Sequence, residues 1–348
     1  MRLFHISHTD LDGYSCQFLT SKVFSKTHYF NANYGMEVKL TLSKVLEDIK
    51  NYKDEKILLI ISDLNLTLQE SIDLDTEVNR LKSDGFNITL QLLDHHITGK
   101  KSAERFDWYF LDDKRCATKI VYDYLIEKFD VSIKIYKELV DCINAVDIWL
   151  ENEKDNFEFG KVLMSMLIKA REINSILFPN IDRNYKFYLL EKAKEFLSEE
   201  NANIKLDNEV HFFKKEFLKL DILDDTLDNL SAKYLVKTLE DVKDELTVIY
   251  KGQKGLLTYC LGSISIPANT FLKANTDYDF FLDVNKKGNA SFRADGKLDV
   301  SLLAQKIANG GGHVNASGGK FEDFKESIDY LSVKMYVQEK LDSLNRGE

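Results

Sequence analysis

Lys56-Ile57-Leu58-Leu59-Ile60-Ile61-Ser62 is an unbroken aliphatic and β-branched run. A run of this kind suits a central strand of a parallel sheet, covered on both faces. Leu3–Ser7 and Asn87–Leu93 read as further strands. Helical stretches lie between and after them. Ser15–Ser25 has Phe18, Leu19, Val23 and Phe24 apolar, and Leu66–Lys82 stops before Asp84-Gly85. Cys116–Phe129 is amphipathic, with Ile120, Val121, Tyr124 and Leu125 on one face. Strands alternating with helices define an α/β chain built on a parallel sheet.

Beyond about residue 150 the strand signal fades. Charged helical stretches such as Tyr185–Glu199 and Val210–Leu223 take over, their charges reading as solvated faces. From about residue 245 strand patterns return at Leu246–Tyr250, Gly255–Leu261, Asp279–Val284 and Ala290–Ala294, followed by a helix at Asp299–Ala308. The glycine cluster Gly310–Gly319 comes next, then a last helix over about Glu322–Leu344. The expected organisation is an N-terminal α/β domain over 1–185, a helical connector over 186–244 and a smaller C-terminal α/β domain over 245–348. The connector could dimerise the chain, cover a cleft or only space the domains.

Three apolar runs end in acids and histidines: His8-Thr9-Asp10-Leu11-Asp12-Gly13, Ser62-Asp63 and Asp94-His95-His96. In a parallel sheet such ends share one edge, where open α/β sheets bind ligands. Each has a plainer reading. Asp10-Leu11-Asp12-Gly13 could be a turn, and Asp63 could cap the following helix. Two adjacent histidines beside an acid are harder to explain as packing. Asp147, at the end of a helical pattern through Leu139, Ile143 and Val146, is a fourth candidate, with Asp141 as its competitor. Carboxylates brought together repel unless a cation neutralises them. Carboxylate and imidazole donors without cysteine suit Mn²⁺, Fe²⁺ or Mg²⁺ over structural Zn²⁺. A carboxylate bridging two ions roughly 3.5–4 Å apart is a device for phosphoester hydrolysis.

Composition narrows the partners. The 348 residues carry a net charge of −10, against the basic footprint of duplex-DNA binders. Cys16, Cys116, Cys142 and Cys260 show no CxxC spacing and read as small buried hydrophobes of a reducing compartment. No apolar run is long enough to span a bilayer, and the N-terminus meets a polar motif too soon for a signal peptide. A cytoplasmic protein without membrane partners is expected, with a homodimer left open.

These motifs, in this order, resemble the DHH family of phosphoesterases, in its oligoribonuclease-like branch. His8-Thr9-Asp10-Leu11-Asp12-Gly13 looks like motif one, Asp63 motif two, Asp94-His95-His96 motif three and Asp147 motif four. Gly310–Gly319, with its Gly-Gly-Gly-His, looks like the substrate-binding motif of the DHHA1-type C-terminal domain. The resemblance implies two divalent ions, Mn²⁺ first and Co²⁺ among the alternatives. Asp10 with His8 would bind one; Asp12, His95 and Asp147 would bind the other; Asp63 would bridge both. Asp94 would orient its neighbours. His96 would face the scissile phosphate. Arg293, Gly311, Gly312, His313 and Asn315 would hold the terminal nucleotide. In pyrophosphatase-like branches the motif-one histidine lies four residues before the first Asp, with a proline between. Here His8 lies two before Asp10 without a proline, and His5 five before it.

The implied activity is a Mn²⁺-dependent phosphodiesterase or exonuclease that removes mononucleotides from very short oligonucleotides (nanoRNA or linear dinucleotides) in a cleft between the domains. The same site would serve a 3′-phosphoadenosine 5′-phosphate phosphatase or a cyclic mono- or dinucleotide phosphodiesterase. Inorganic pyrophosphate leaves the glycine-rich grip idle. A processive nuclease needs a strand-binding module that is not evident. A nucleotide sensor without catalysis is the alternative from another class, disfavoured by the full set of ligand positions.

Overall fold

The computed structural model describes residues 1–129, 132–327 and 329–344, which form two compact units. The first comprises Met1–Ala170 and Arg183–Val210; the second comprises Arg171–Asp182 and His211 onward.

In the first unit β1 (Arg2–Ser7), α1 (Leu11–Ser21), β2 (Thr27–Asn31), α2 (Met36–Ile49), β3 (Lys56–Ser62), α3 (Leu68–Ser83), β4 (Asn87–Asp94), α4 (Lys100–Ala103), β5 (Tyr109–Leu111) and α5 (Ala117–Lys128) build a five-stranded parallel sheet of order β2-β1-β3-β4-β5. The helices α6 (Lys137–Asp147) and α7 (Lys154–Ile168) follow, then α8 (Pro179–Lys194) and α9 (Ala202–Leu218), each of which has residues in both units. One sheet face, with Phe4, Ile6, Ile57, Leu59, Ile61, Leu90 and Leu92, packs on Val38, Leu42, Val45 and Ile49 of α2 and Leu74, Val78 and Leu81 of α3. Strand β3 is buried from Ile57 to Ser62, as its unbroken apolar run requires. The chain leaves β1 for β2 on one side and returns to β3 on the other. This strand order has its switch point between β1 and β3, where the loops part and leave a crevice. Ser7 pairs with Ser62, and Ser62 with Leu93, so the three motif-bearing loops leave the sheet level with one another.

In the second unit α10 (Leu227–Leu246), β6 (Thr247–Tyr250), β7 (Gln253–Tyr259), α11 (Ser265–Ala274), β8 (Phe280–Val284), β9 (Asn289–Ala294), α12 (Val300–Ala308), β10 (Gly311–His313), β11 (Ala316–Lys320) and α13 (Tyr330–Ser343) follow in order. The sheet order is β10-β11-β9-β8-β7-β6, antiparallel except between β7 and β8. Leu257, Leu282 and Phe292 meet Val300 and Leu303 of α12 and Val333 and Val337 of α13 in its core. The fold class is therefore α/β, with a five-stranded parallel sheet and a second unit built on its own mixed sheet. No helix among the described residues is long and apolar enough to cross a membrane.

Several boundaries differ from the sequence reading. The first helix begins at Leu11 rather than Ser15, because the Asp10 side chain caps it by accepting from the Gly13 N–H. Asp12 and Gly13 are thereby helical rather than part of a turn. A side chain at Gly13 would sit 2.3 Å from the His8 carbonyl oxygen, so glycine lets α1 close against the end of β1. The charged helices are α8 and α9, each starting earlier than expected. The last helix starts at Tyr330, after Asp329 supplies its cap; Ile328, within the expected span, lies outside the described residues. Strands β2 and β5 and helices α2 and α7 were not anticipated.

Candidate metal centre

Asp10 ends the loop after β1, its carboxylate shared between the Gly13 N–H (3.0 Å) and His8 Nδ1 (2.8 Å). Burial acts upward on this carboxyl, but the hydrogen bond and charge of His8, with the Gly13 N–H, outweigh it and hold the group at about 2. Asp12 follows in the first turn of α1 and points across to the N-terminus of α5. The Ala117 and Thr118 N–H groups donate to its two oxygens at 2.8 and 2.7 Å. A helix N-terminus is a favourable seat for an anion. It also fixes the direction in which the remaining lone pairs of Asp12 point.

Asp63 follows β3 with a left-handed backbone, φ 55°. This conformation costs a non-glycine residue roughly 1–2 kcal/mol and persists where the surroundings enforce it. The side chain is 2% exposed. Its Oδ1 lies 3.3 Å from His95 Nε2; its Oδ2 lies 3.7 Å from His8 Nδ1 and has no hydrogen-bond partner. Burial, then the charges of Asp12, Asp10 and Asp147, push this carboxyl well above the ordinary range.

Asp94 closes β4, fully buried. It accepts from the Tyr109 hydroxyl at 3.1 Å and is bonded to His96 Nδ1 at 2.8 Å. Burial pulls the His96 imidazole down, but the bond to Asp94 and its charge more than offset this, and the group is raised. His95 Nε2 faces Asp63, Asp12 (3.8 Å) and Asp147 (3.6 Å). Burial lowers it against the upward pull of Asp12. Asp147 is the last residue of α6, an unfavourable helix end for an anion. Burial and the charges of Asp12 and Asp10 push it up to about 9.

The loops at the strand ends, with the start of α1 and the end of α6, thus bring together His8, Asp10, Asp12, Asp63, His95, His96 and Asp147. His8, Asp10 and Asp63 offer ligand atoms within 4.8 Å of one another, as do Asp12, His95 and Asp147, and also Asp63, His95 and His96. Among the described residues no lysine or arginine pairs with Asp10, Asp12, Asp63 or Asp147. Buried like charges, an orphaned Asp63 oxygen and hard donors suit divalent cations. His5 is not among these residues. It is buried inside β1, bonded to Thr20 Oγ1 and Ser62 Oγ at 3.0 and 2.8 Å. Asp141 pairs with Lys119 and Lys137 instead.

Sequence reasoning missed Tyr34. Its ring lies 5.2 Å from that of His8, and its hydroxyl lies 3.3 Å from His96 Nε2. It stands after the polar edge strand β2, and nothing local marks it. It also missed Asn31, whose Nδ2 donates to the His8 carbonyl at 2.9 Å. The seat of Asp12 was open to inference, because Cys116–Phe129 already read as a helix with its start at Cys116.

The remaining expected residues lie in the second unit. Gly311, Gly312 and His313 form the exposed edge strand β10. Gly312 has φ 145°, and a side chain there would meet the Ala316 oxygen at 2.7 Å. Asn315 Oδ1 accepts from the Gly296 N–H at 2.9 Å, holding the turn. Arg293, on β9, donates to the Phe292 carbonyl and to Ser265 Oγ at 2.8 and 3.1 Å.

No family model matches the chain. The 3′,5′-cyclic-nucleotide phosphodiesterase of Helicobacter pylori (strain ATCC 700392 / 26695) is 43% identical over 343 residues, 97% of this chain and 98% of that protein. The crystal structure of an uncharacterized protein from Helicobacter pylori G27 is similar at a TM-score of 0.93 and 42% identity, covering 99% of each chain. The exonuclease RecJ bound to manganese is 13% identical at a TM-score of 0.36, over 99% of this chain and 89% of that one, too remote for inference. With a phosphodiesterase relative alike along almost its whole length, and with each of the four N-terminal motifs at the same sheet edge, the chain belongs to the DHH family of metal-dependent phosphoesterases.

Proposed function

We propose that His8, Asp10 and Asp63 hold one divalent cation and Asp12, His95 and Asp147 a second, with Asp63 shared. Mn²⁺ is the first choice for these donors, ahead of Mg²⁺, Fe²⁺ and Co²⁺. The observation that carries this reading is Asp63: a buried carboxylate with one oxygen unpartnered, standing between both donor groups. When bound, such a pair supplies an attacking water of lowered pKa and neutralises phosphate charge. The chain's own residues do the rest. Asp94 takes the Nδ1 side of His96, so Nε2 is the atom that meets substrate, as proton donor to a phosphoryl or leaving oxygen. The Tyr34 hydroxyl shares that nitrogen and yields it when substrate enters. Arg293, Gly311, Gly312, His313 and Asn315 grip the terminal nucleotide, the guanidinium suiting a phosphate and the exposed glycine backbone a close approach.

The substrates of this reading are very short oligonucleotides, nanoRNA or linear dinucleotides, cut to mononucleotides in the cytoplasm. A second reading, 3′,5′-cyclic nucleotides, is favoured by the activity for which the Helicobacter pylori relative is named. The two share one reaction. Water adds at phosphorus, the bond to the 3′ oxygen breaks, that oxygen takes a proton, and a 5′-monophosphate remains. A product time course with Mn²⁺ tests both. 5′-Phosphorylated di- to pentaribonucleotides, 3′,5′-cyclic AMP, 3′-phosphoadenosine 5′-phosphate and pyrophosphate are offered side by side. Mononucleotides from the short RNAs are expected. Turnover confined to cyclic AMP would reassign the substrate, and turnover of pyrophosphate alone would remove the diesterase reading.

His96→Ala should lower kcat by about 10²–10⁴, the usual weight of a proton donor, with the bound-metal stoichiometry unchanged. Loss of a metal equivalent would make His96 a ligand instead, in the grouping with Asp63 and His95.

A further inference from the structure

The helix that ends at Asp147 closes in an unusual way. Ile148 and Leu150 donate back to Asn144 and Ala145, at 3.2 and 2.7 Å. Between them Trp149 adopts φ 60°, the left-handed exit at which helices normally place glycine. A bulky aromatic residue in that conformation is a genuine outlier. The fold gains little burial from the indole, which is 59% exposed. Yet the ring is held. It makes a T-shaped contact with Phe157 of α7 at 5.0 Å, and Nε1–H donates to Glu151 Oε1 at 2.8 Å. A large aromatic surface is therefore kept in water, in one orientation, at a backbone cost, two residues from Asp147.

We propose that Trp149 is a nucleobase platform, on which the base of a nucleotide substrate stacks while its phosphate occupies the metal centre. The inference rests on the phosphodiesterase reading and adds a determinant of nucleotide specificity to it. The other tryptophan has no such role. Trp108 is half-buried, stacked on Phe106 and bonded to Asp75. Stacking on an aromatic residue strengthens nucleotide binding about 5- to 150-fold and tolerates any base.

The test uses the full-length protein with Mg²⁺ and two probes, adenosine 5′-monophosphate and ribose 5-phosphate, which carry the same phosphate and sugar with and without a base. Calorimetry should show adenosine 5′-monophosphate bound 5- to 150-fold more tightly than ribose 5-phosphate. The nucleotide should also quench wild-type tryptophan emission. Trp149→Phe should keep the preference but lose the quench. Trp149→Gly should lose the preference without a lower melting temperature, because glycine is the residue this backbone favours. Equal binding of the two probes by the wild type, or an undiminished preference in Trp149→Gly, overturns the platform. So does a glycine variant that melts early and loses both probes alike, which makes Trp149 structural only. Wild-type hydrolysis of bis(p-nitrophenyl) phosphate separates the levels. If it proceeds while the probes bind equally, only the platform fails; if no diester is cut and neither probe binds, the phosphodiesterase reading fails with it.

Discussion

Replacing Asp63 with asparagine should cut phosphodiester hydrolysis at least about 1,000-fold and raise the melting temperature of the metal-free protein. The first effect follows from its place between both donor groups: in the proposed two-ion arrangement, one substitution weakens both sites. The second follows from electrostatics. The Asp63 carboxyl is buried among Asp12, Asp10 and Asp147 and is pushed well above its ordinary range, so ionising it opposes folding. Each pKa unit relieved is worth about 1.4 kcal/mol, or about 3–6 °C in a domain of this size. Asparagine also tolerates the left-handed backbone better than most residues, so the substitution adds no new strain. Initial rates and melts in chelator check both parts. Added Mn²⁺ should raise the melting temperature of the wild type but not of Asp63→Asn. Retained activity, or a variant that still gains stability from Mn²⁺, would remove Asp63 from the shared position.

Stripped of divalent ions, the protein should lose stability as the pH rises from about 6.5 to about 9, and Mn²⁺ should suppress that loss. Asp147 titrates at about 9 in the folded chain, against 3.8 ordinarily. A carboxyl raised on folding stabilises the fold at low pH, and this contribution is lost as the pH climbs from its unfolded to its folded value. Asp63 acts in the same sense. Below pH 6.5 the buried His5 works against them. Burial, with the nearby Arg183 charge, holds its imidazole down to about 3, so the unfolded chain binds that proton first and stability is lost as the pH falls from 6.5 towards 3. The net decline is therefore clearest above pH 6.5, with a slope of up to about 1.4 kcal/mol per pH unit for each proton involved. A cation at 100 times its dissociation constant adds about 2.7 kcal/mol. Urea titrations from pH 5 to 8.5 under nitrogen, with chelator or with Mn²⁺, measure both curves. A metal-free stability that stays flat above pH 6.5 would mean that burial and mutual repulsion do not raise these carboxyls.

The cluster was legible because parallel strands have directional ends. Once Leu3–Ser7, Lys56–Ser62 and Asn87–Leu93 are read as neighbouring parallel strands, Asp10, Asp63 and His95 must emerge at one edge. Helix α2 was also written in the chain, as Val38, Leu42, Val45 and Ile49 at helical spacing. Strand β2 was not: Thr27–Asn31 is half-buried along its length and carries no alternation. The glycine cluster Gly310–Gly319 could have been a loose loop by composition. It is a β-hairpin, because β11 pairs with β9 and β10 completes the sheet edge, long-range contacts that no local pattern records.

Sequence alone determined the α/β class and the family and pointed to the candidate donor residues, since hydrophobic period and motif order are local properties. It left open which histidine accompanies Asp10. Only the tertiary structure decided that, by burying His5 between Thr20 and Ser62 and turning His8 towards Asp10 and Asp63. It also seated Asp12 on the N-terminus of α5, more than a hundred residues away, and brought Tyr34 to His96. Those contacts depend on which helix ends and loops meet at the switch point, and that is set by the packing of the whole sheet rather than by any segment of the chain.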